Sequence, residues 1–166
     1  MIATGASING GEIKAKVRLA SAADALTLAR LRYEFRSSMR EVVEGDEAFV
    51  ERCAAWMQER LRPESDWKCW IAEWEQATAG NVWAQLVEKI PNPVVESECH
   101  VYLTNLYVRE ELRRHGLGAM LLSAALAWSR SVQVQMVILW PTERSKPFYV
   151  RHGFSQAHEL MQLAIE

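Results

Sequence analysis

The junction at Leu106-Tyr107-Val108 is the feature that most limits what this chain can fold into. It is followed by Arg113-Arg114-His115-Gly116-Leu117-Gly118, and then Leu117, Leu121, Ala124 and Trp128 recur at helical spacing. A strand handing over to a helix that opens on two glycines is a local device for holding an anion. Glycine lets backbone N–H groups approach a ligand closely, and a helix N-terminus carries unpaired donors and roughly half a positive charge, which suits a pyrophosphate. Arg113 and Arg114 would add charge-assisted hydrogen bonds. The run lacks the Gly-Lys-Ser/Thr ending of a nucleoside-triphosphate loop, and Leu121 stands where a dinucleotide fingerprint wants its third glycine. Taken alone, the junction is as well explained by a helix that begins with Gly beside a surface Arg pair.

Elements of both kinds flank it. Lys14 to Leu19 alternates as a strand, and from Ser21 a helix carries Leu28, Leu31, Phe35 and Met39 on one face, with Ser21 and Asp24 as a capping box. A second helix carries Phe49, Cys53, Met57 and Leu61 until Pro63 stops it. Trp67 to Glu75 and Asn81 to Ile90 predict a β-hairpin about an Ala79-Gly80-Asn81 turn. Pro91, Asn92 and Pro93 break its second strand, and a third runs from about Glu98 to Val108. In that strand the apolar residues switch parity, Val101 and Leu103 being odd and Leu106 and Val108 even, which predicts a β-bulge near Asn105. Val132 to Trp140 reads as an apolar strand, Phe148 and Tyr149 lie on a short helix ended by Gly153, and Leu160 to Ile165 suggests a last strand. The predicted order is β-α-α-β-β-β-α-β-α-β.

The length of 166 residues favours one domain over 14–166, after a flexible Gly/Ser/Asn-rich lead over 1–13 that lacks the pattern of a secretory signal. With 19 basic and 21 acidic residues the formal charge is −2, so the bulk electrostatic footprint of a nucleic-acid binder is missing. No apolar run approaches the roughly 18 residues of a membrane helix. Cys53, Cys69 and Cys99 are odd in number and widely spaced, which argues against a disulfide framework or a zinc site and fits a reducing cytoplasm. His100, His115, His152 and His158 form no cluster of metal-ligand spacing, and no metal is expected.

The whole pattern resembles the GNAT superfamily of N-acetyltransferases. Arg113, Gly116 and Gly118 match the signature Q/R-x-x-G-x-G/A, and Phe148-Tyr149-Val150-Arg151-His152-Gly153-Phe154 is similar to the segment F/L-Y-x-x-x-G-F. The resemblance implies an α/β fold with a mixed, mostly antiparallel central sheet flanked by helices, and acetyl-CoA lodged where two adjacent parallel strands splay apart. It further implies that backbone groups of Leu106, Tyr107 and Val108 meet the thioester and pantetheine arm, and that Arg113, Arg114, His115, Gly116, Leu117, Gly118 and Ala119 hold the pyrophosphate. Thr142 and Ser145 join the cofactor surface by the same resemblance. Thr142 stands where many members have Asn, and Pro147, uncomfortable in a helix interior, makes Ser145 a candidate cap of a shortened helix. Tyr149 is implied as the general acid for the leaving thiolate, a sensible role for a phenol of pKa near 10 against a thiol near 8.5.

The general base is open. Some relatives carry Glu where this chain has Tyr102; Glu98 and His100 share its strand parity and could act directly or through water, and Glu34 on the first helix is a further candidate. Each is also readable as an ordinary exposed charge. Trp67, Trp70, Trp74 and Trp83 on the hairpin read as sheet packing, or as walls of an acceptor pocket or a dimer contact. Glu41, Glu44, Asp46 and Glu47, flanked by Arg36 and Arg40, would raise the local concentration of a cationic amine, or simply be a solvated loop and helix start. The expected activity is acetyl transfer from acetyl-CoA to a primary amine of a small molecule or peptide. The competing class is a GNAT-like module that binds an acyl-CoA or a partner protein without catalysis.

Overall fold

The computed structural model describes residues 14–156 and 161–165. Strand β1 (Ala15–Leu19) leads through a 3₁₀ turn to α1 (Ala25–Ser37) and α2 (Asp46–Arg60). Strands β2 (Trp67–Trp74), β3 (Ala77–Glu88) and β4 (Cys99–Val108) follow, then α3 (Leu117–Ser131), β5 (Val137–Ile138) and α4 (Lys146–Arg151). The sheet order is β1-β2-β3-β4-β5, antiparallel throughout except for the parallel β4/β5 pair. This is the expected mixed, mostly antiparallel α/β architecture. The Ser21 amide donates to Asp24 Oδ2 at 2.8 Å, so the capping box forms. The expected lead over 1–13 lies outside the described residues.

Both sheet faces are covered, so Cys69–Ala72 of β2 and Ala79–Ala84 of β3 are buried residue after residue. Side chains still alternate with period two. Trp70, Ala72, Val82, Ala84, Val101 and Leu103 turn toward α3, where Leu117, Leu121, Leu122 and Ala125 close the larger core. Cys69, Ile71 and Trp83 turn the other way and meet Leu28 and Ala29 of α1, Met57 of α2 and Leu61 just beyond it.

The predicted bulge is present. Asn81 pairs with Tyr107 but Trp83 with Thr104, so β4 holds one residue more than β3 here, and Asn105 takes φ +53°. Asn tolerates that left-handed conformation better than most residues.

The hairpin turn lies elsewhere than predicted. Glu75 and Gln76 form a two-residue loop with φ +49° and +69°, the sign pattern of a type I′ hairpin, which usually selects Gly or Asn. Ala79, Gly80 and Asn81, which read as a turn, belong to β3. A Cβ at Gly80 would stand 2.4 Å from the Tyr107 carbonyl oxygen, so the glycine is there to admit the bulged strand. Asn81 is buried and donates from Nδ2 to the Asn105 carbonyl at 3.3 Å, pinning the bulge from beneath.

Two strand expectations are corrected at the far edge. Of Val132–Trp140 only Val137 and Ile138 join the ladder, because Val132 caps α3, Gln133 turns with φ +57°, and the chain needs the following residues to return to the sheet. The last strand, expected over Leu160 to Ile165, is absent from 161–165; Met161, Leu163 and Ile165 are exposed, and a two-residue β5 offers little edge to template a further strand. Leu160 lies outside the described residues. Helix α4 is short, as Pro147 requires, with the proline in its first turn.

Candidate active site

At the α3 start, Arg114 and Gly116 take φ +69° and +80° and turn the chain sharply into the helix. The Met120 amide is the first to reach a backbone acceptor, Gly116 O at 3.0 Å. The amides of Leu117, Gly118 and Ala119 have no acceptor among the described residues and form the predicted cluster of free donors. Arg113 folds back, donating from Nε to Val108 O at 3.2 Å and pairing with Glu110 at 3.1 Å. Arg114 and His115 are exposed, the His115 ring lying 4.7 Å from that of Trp74.

The strand that leads into this turn is open on one side. The β4/β5 ladder consists of Val101↔Val137 and Tyr102↔Ile138, so from Leu103 onward the outer edge of β4 has no strand partner among the described residues. Backbone groups of Leu106–Val108 therefore sit at a splay between parallel strands, ahead of the donor-rich turn. The Tyr107 side chain points to α1: its hydroxyl donates to Glu34 Oε1 at 2.7 Å and its ring stacks on Phe35 at 4.9 Å. Burial, with Glu34 adding to it, holds the Tyr107 phenol well above its ordinary range. Glu34 Oε2 accepts from Arg109 Nε at 3.2 Å. Both Glu34 oxygens are thus engaged, one by Tyr107 and one by Arg109.

Tyr149 is buried against the α3-side core, between Phe148 at 5.2 Å and Phe154 at 5.5 Å, ring centroid to centroid. Its hydroxyl has no hydrogen-bond partner among the described residues and is not sealed from solvent. Burial raises its pKa, so the phenol keeps its proton. Ser145 sits at the N-cap position, but its hydroxyl donates to Thr142 O at 3.0 Å and accepts from Thr142 Oγ1 at 3.0 Å. Thr142 O in turn accepts from the amides of Ser145 and Lys146, so it is the threonine that secures the entry to α4. The expected Ser145 side-chain cap is not formed.

The base candidates separate by distance along β4. At roughly 3.3 Å per residue, His100 lies about 13 Å before Thr104 and Glu98 about 20 Å before it. Glu98 is exposed and accepts from the Asn92 amide at 3.1 Å. Tyr102, in the place where some relatives have Glu, donates to Thr104 Oγ1 at 3.2 Å. In the acidic segment, Glu44 pairs with Arg52 at 2.5 Å rather than with Arg36 or Arg40.

The hairpin tryptophans divide their tasks. Trp70 packs on Trp128 at 5.7 Å in the α3-side core, whereas Trp67 and Trp83 join Trp56 around a cavity on the α1/α2 face. Arg32 of α1 reaches the same cavity and donates from Nη1 to Asn105 Oδ1 at 2.8 Å. Sequence reasoning overlooked Arg32, although its place four residues after Leu28 and three before Phe35 puts a charge on the apolar stripe of α1.

Residues 29–154 match the Acetyltransferase (GNAT) family, and the chain belongs to that family. Solved structures share its fold. A GCN5-related N-acetyltransferase from Ralstonia eutropha JMP134 is 24% identical with a TM-score of 0.72, over 90% of this chain and 98% of that one. A predicted acetyltransferase from Clostridium acetobutylicum, solved with acetyl-CoA, is 18% identical with a TM-score of 0.71, over 90% and 96%. The aminoglycoside N-acetyltransferase AAC(6')-Iy, solved with CoA, is 16% identical with a TM-score of 0.68, over 91% and 94%. No curated protein matches the sequence. Among the described residues no helix is long and apolar enough to cross a membrane.

Proposed function

We propose that the chain transfers the acetyl group of acetyl-CoA to a primary amine, by direct attack with both substrates bound. The observation that carries this reading is the continuity of the unpaired β4 edge with the free amides of Leu117, Gly118 and Ala119. That surface fits an extended arm ending in a pyrophosphate, with Arg113 and Arg114 beside the phosphates and Thr142 and Ser145 at the α4 side. Acetyl-CoA supplies an activated acetyl thioester when bound. Tyr149 holds a proton at its hydroxyl for the departing sulfur, and the amine proton leaves through a chain of waters toward His100, which is nearer the bulge than Glu98 but beyond the reach of a single water. Free thiols at Cys53, Cys69 and Cys99 support a reducing, cytoplasmic setting.

A non-catalytic acyl-CoA module would have no use for an unpartnered hydroxyl on an otherwise buried tyrosine, which favours the enzyme. The test is a panel of primary amines with acetyl-CoA and thiol detection, beside calorimetry with CoA. Binding of CoA without thiol release on any amine would support the module instead.

A further inference from the structure

A cavity of about 390 Å³ opens between α2 and strands β3 and β4, on the face of the sheet away from α3. Small-molecule sites span roughly 300–1,000 Å³, so it suits a small acceptor. Its apolar wall is made by Trp56, Trp67 and Trp83, whose rings pack 5.4–6.1 Å apart. Trp83 pairs across the sheet with Thr104, so this wall adjoins the bulge at Thr104 and Asn105.

The charge in the cavity is of one sign. Arg32 and Arg52 line it, and no Asp or Glu does. Arg52 is answered by Glu44 at 2.5 Å. Arg32 is half-buried and spends one donor on a neutral acceptor, Asn105 Oδ1; none of the ion pairs among the described residues includes it. A guanidinium has five N–H donors, so most of its fork remains for a planar anion. Cations already lie over two rings that line the cavity, Arg60 4.6 Å over Trp56 and Arg52 5.4 Å over Phe49.

The geometry points to an apolar α-amino acid as the acceptor, with its carboxylate on Arg32, its side chain against the tryptophan wall and its amine at the Thr104–Asn105 bulge. This rests on the acetyl-transfer reading above. Spacing selects an α-amino acid over other carboxylated amines. Arg32 touches Asn105 of the bulge itself, which keeps anion and amine close together on the acceptor, and an α-amino acid carries both on one carbon. In the reaction the nitrogen bonds to the acetyl carbon as the C–S bond breaks. The ammonium gives up two protons, one before attack, which goes to water, and one after, which restores the proton that Tyr149 gives to the departing sulfur. The products are an N-acetyl amino acid and a free thiol.

The test compares L-phenylalanine with L-phenylalaninamide on the CoA-saturated protein by tryptophan fluorescence, and the same pair as acceptors by thiol release. The acid should bind about tenfold or more tightly than the amide, as expected for a hydrogen-bonded charge pair. Arg32→Gln keeps a donor for Asn105 and removes the charge; it should weaken the acid about tenfold, bring acid and amide level, and leave CoA affinity unchanged. Equal or tighter binding of the amide by the native protein needs no variant and overturns the inference, as does an acid preference that survives in Arg32→Gln or failure of both compounds to bind. Spermidine and an aminoglycoside acetylated ahead of phenylalanine would overturn the acceptor class and leave acetyl transfer standing. Arg32-dependent binding of phenylalanine with no thiol release on it or on any other amine would uphold the binding site and remove acetyl transfer.

Discussion

Tyr107 and Glu34, 73 residues apart, are joined by a 2.7 Å hydrogen bond that ties the bulged strand to the first helix. The bond runs from a phenol whose pKa is raised, first by burial and then by the carboxylate that accepts its proton. Because the folded-state pKa exceeds the ordinary value of about 10, this contribution to stability is fully present below pH 10 and is lost as pH rises through the folded pKa. Tyr107→Phe should lower stability at pH 7 by roughly 0.5–1.5 kcal/mol, the usual net worth of a hydrogen bond, and should remove this part of the alkaline loss. Urea unfolding between pH 7 and 11 checks both; an identical alkaline limb in the variant would dissociate Tyr107 from it.

Gly80 gives a harsher test of the same junction. A Cβ there meets the Tyr107 carbonyl oxygen at 2.4 Å, and that oxygen is backbone of a paired strand that cannot swing aside. Gly80→Ala should cost about 1–3 kcal/mol, the range for forced overpacking, and should reduce CoA affinity because the β4 edge moves with its bulge. Thermal melting and calorimetry read the two effects separately. Native stability in the variant would mean that the two strands are not so close.

How much of this was legible in the sequence follows from what period and parity can report. The bulge was readable because the switch from Val101 and Leu103 to Leu106 and Val108 is a local pattern, and the Gly116 turn was readable because its glycines are local too. The hairpin turn was not, since Glu75 and Gln76 adopt positive φ without the residues that advertise it, while Gly80 answers to a strand more than twenty residues away. The roles of Glu34 and Arg32 rest on partners at Tyr107 and Asn105, and nothing in the helical spacing of α1 names a partner on β4. Residues 161–165 show the opposite failure: the alternation is present, but a strand also needs an edge to pair with.

At the entry to α1, Arg18 clamps Asp24 through both guanidinium Nη atoms, at 2.9 and 2.7 Å, and also holds Glu73 at 2.6 Å. The Arg18 hydrogen bond is the largest cause of the depressed Asp24 pKa, about 2. A depressed carboxyl contributes stability above its unfolded pKa, near 3.9, and that contribution is lost as pH falls toward 2. Asp24→Asn should therefore be less stable than the native protein at pH 6, with the difference narrowing between pH 4 and 2. Chemical unfolding across that range checks it, and a constant gap at all pH values would refute the assignment.

The two glycines of the α3 turn should behave differently. Gly116 takes φ +80°, where any L side chain is strained, so Gly116→Ala should lose about 1–2 kcal/mol. A Cβ at Gly118 would lie 3.7 Å from Phe148 Cζ, an ordinary contact, so Gly118→Ala should fold normally and still bind CoA. Gly118→Asp adds a negative charge beside the free amides and should abolish CoA binding in a folded protein. Calorimetry with circular dichroism separates the three variants; unchanged CoA affinity in folded Gly118→Asp would remove the pyrophosphate from this turn.

The proton on Tyr149 gives the most direct view of chemistry. The ring is packed between Phe148 and Phe154, whereas the hydroxyl has no hydrogen-bond partner among the described residues. Tyr149→Phe therefore keeps the packing and forfeits no internal hydrogen bond, so its melting temperature should stay within a degree or so of the native value and CoA affinity should hold. Turnover should fall roughly 10²- to 10⁴-fold, the usual contribution of a general acid. Burial raises the phenol's pKa, so the acid remains protonated through neutral pH and kcat should lose its Tyr149-dependent part only above about pH 10, the ordinary phenol value. In Tyr149→Phe that alkaline fall should vanish from the residual rate. Single-turnover measurements isolate the chemical step from product release, and a variant that keeps the native single-turnover rate would take Tyr149 out of the reaction and leave it as packing for the α3-side core.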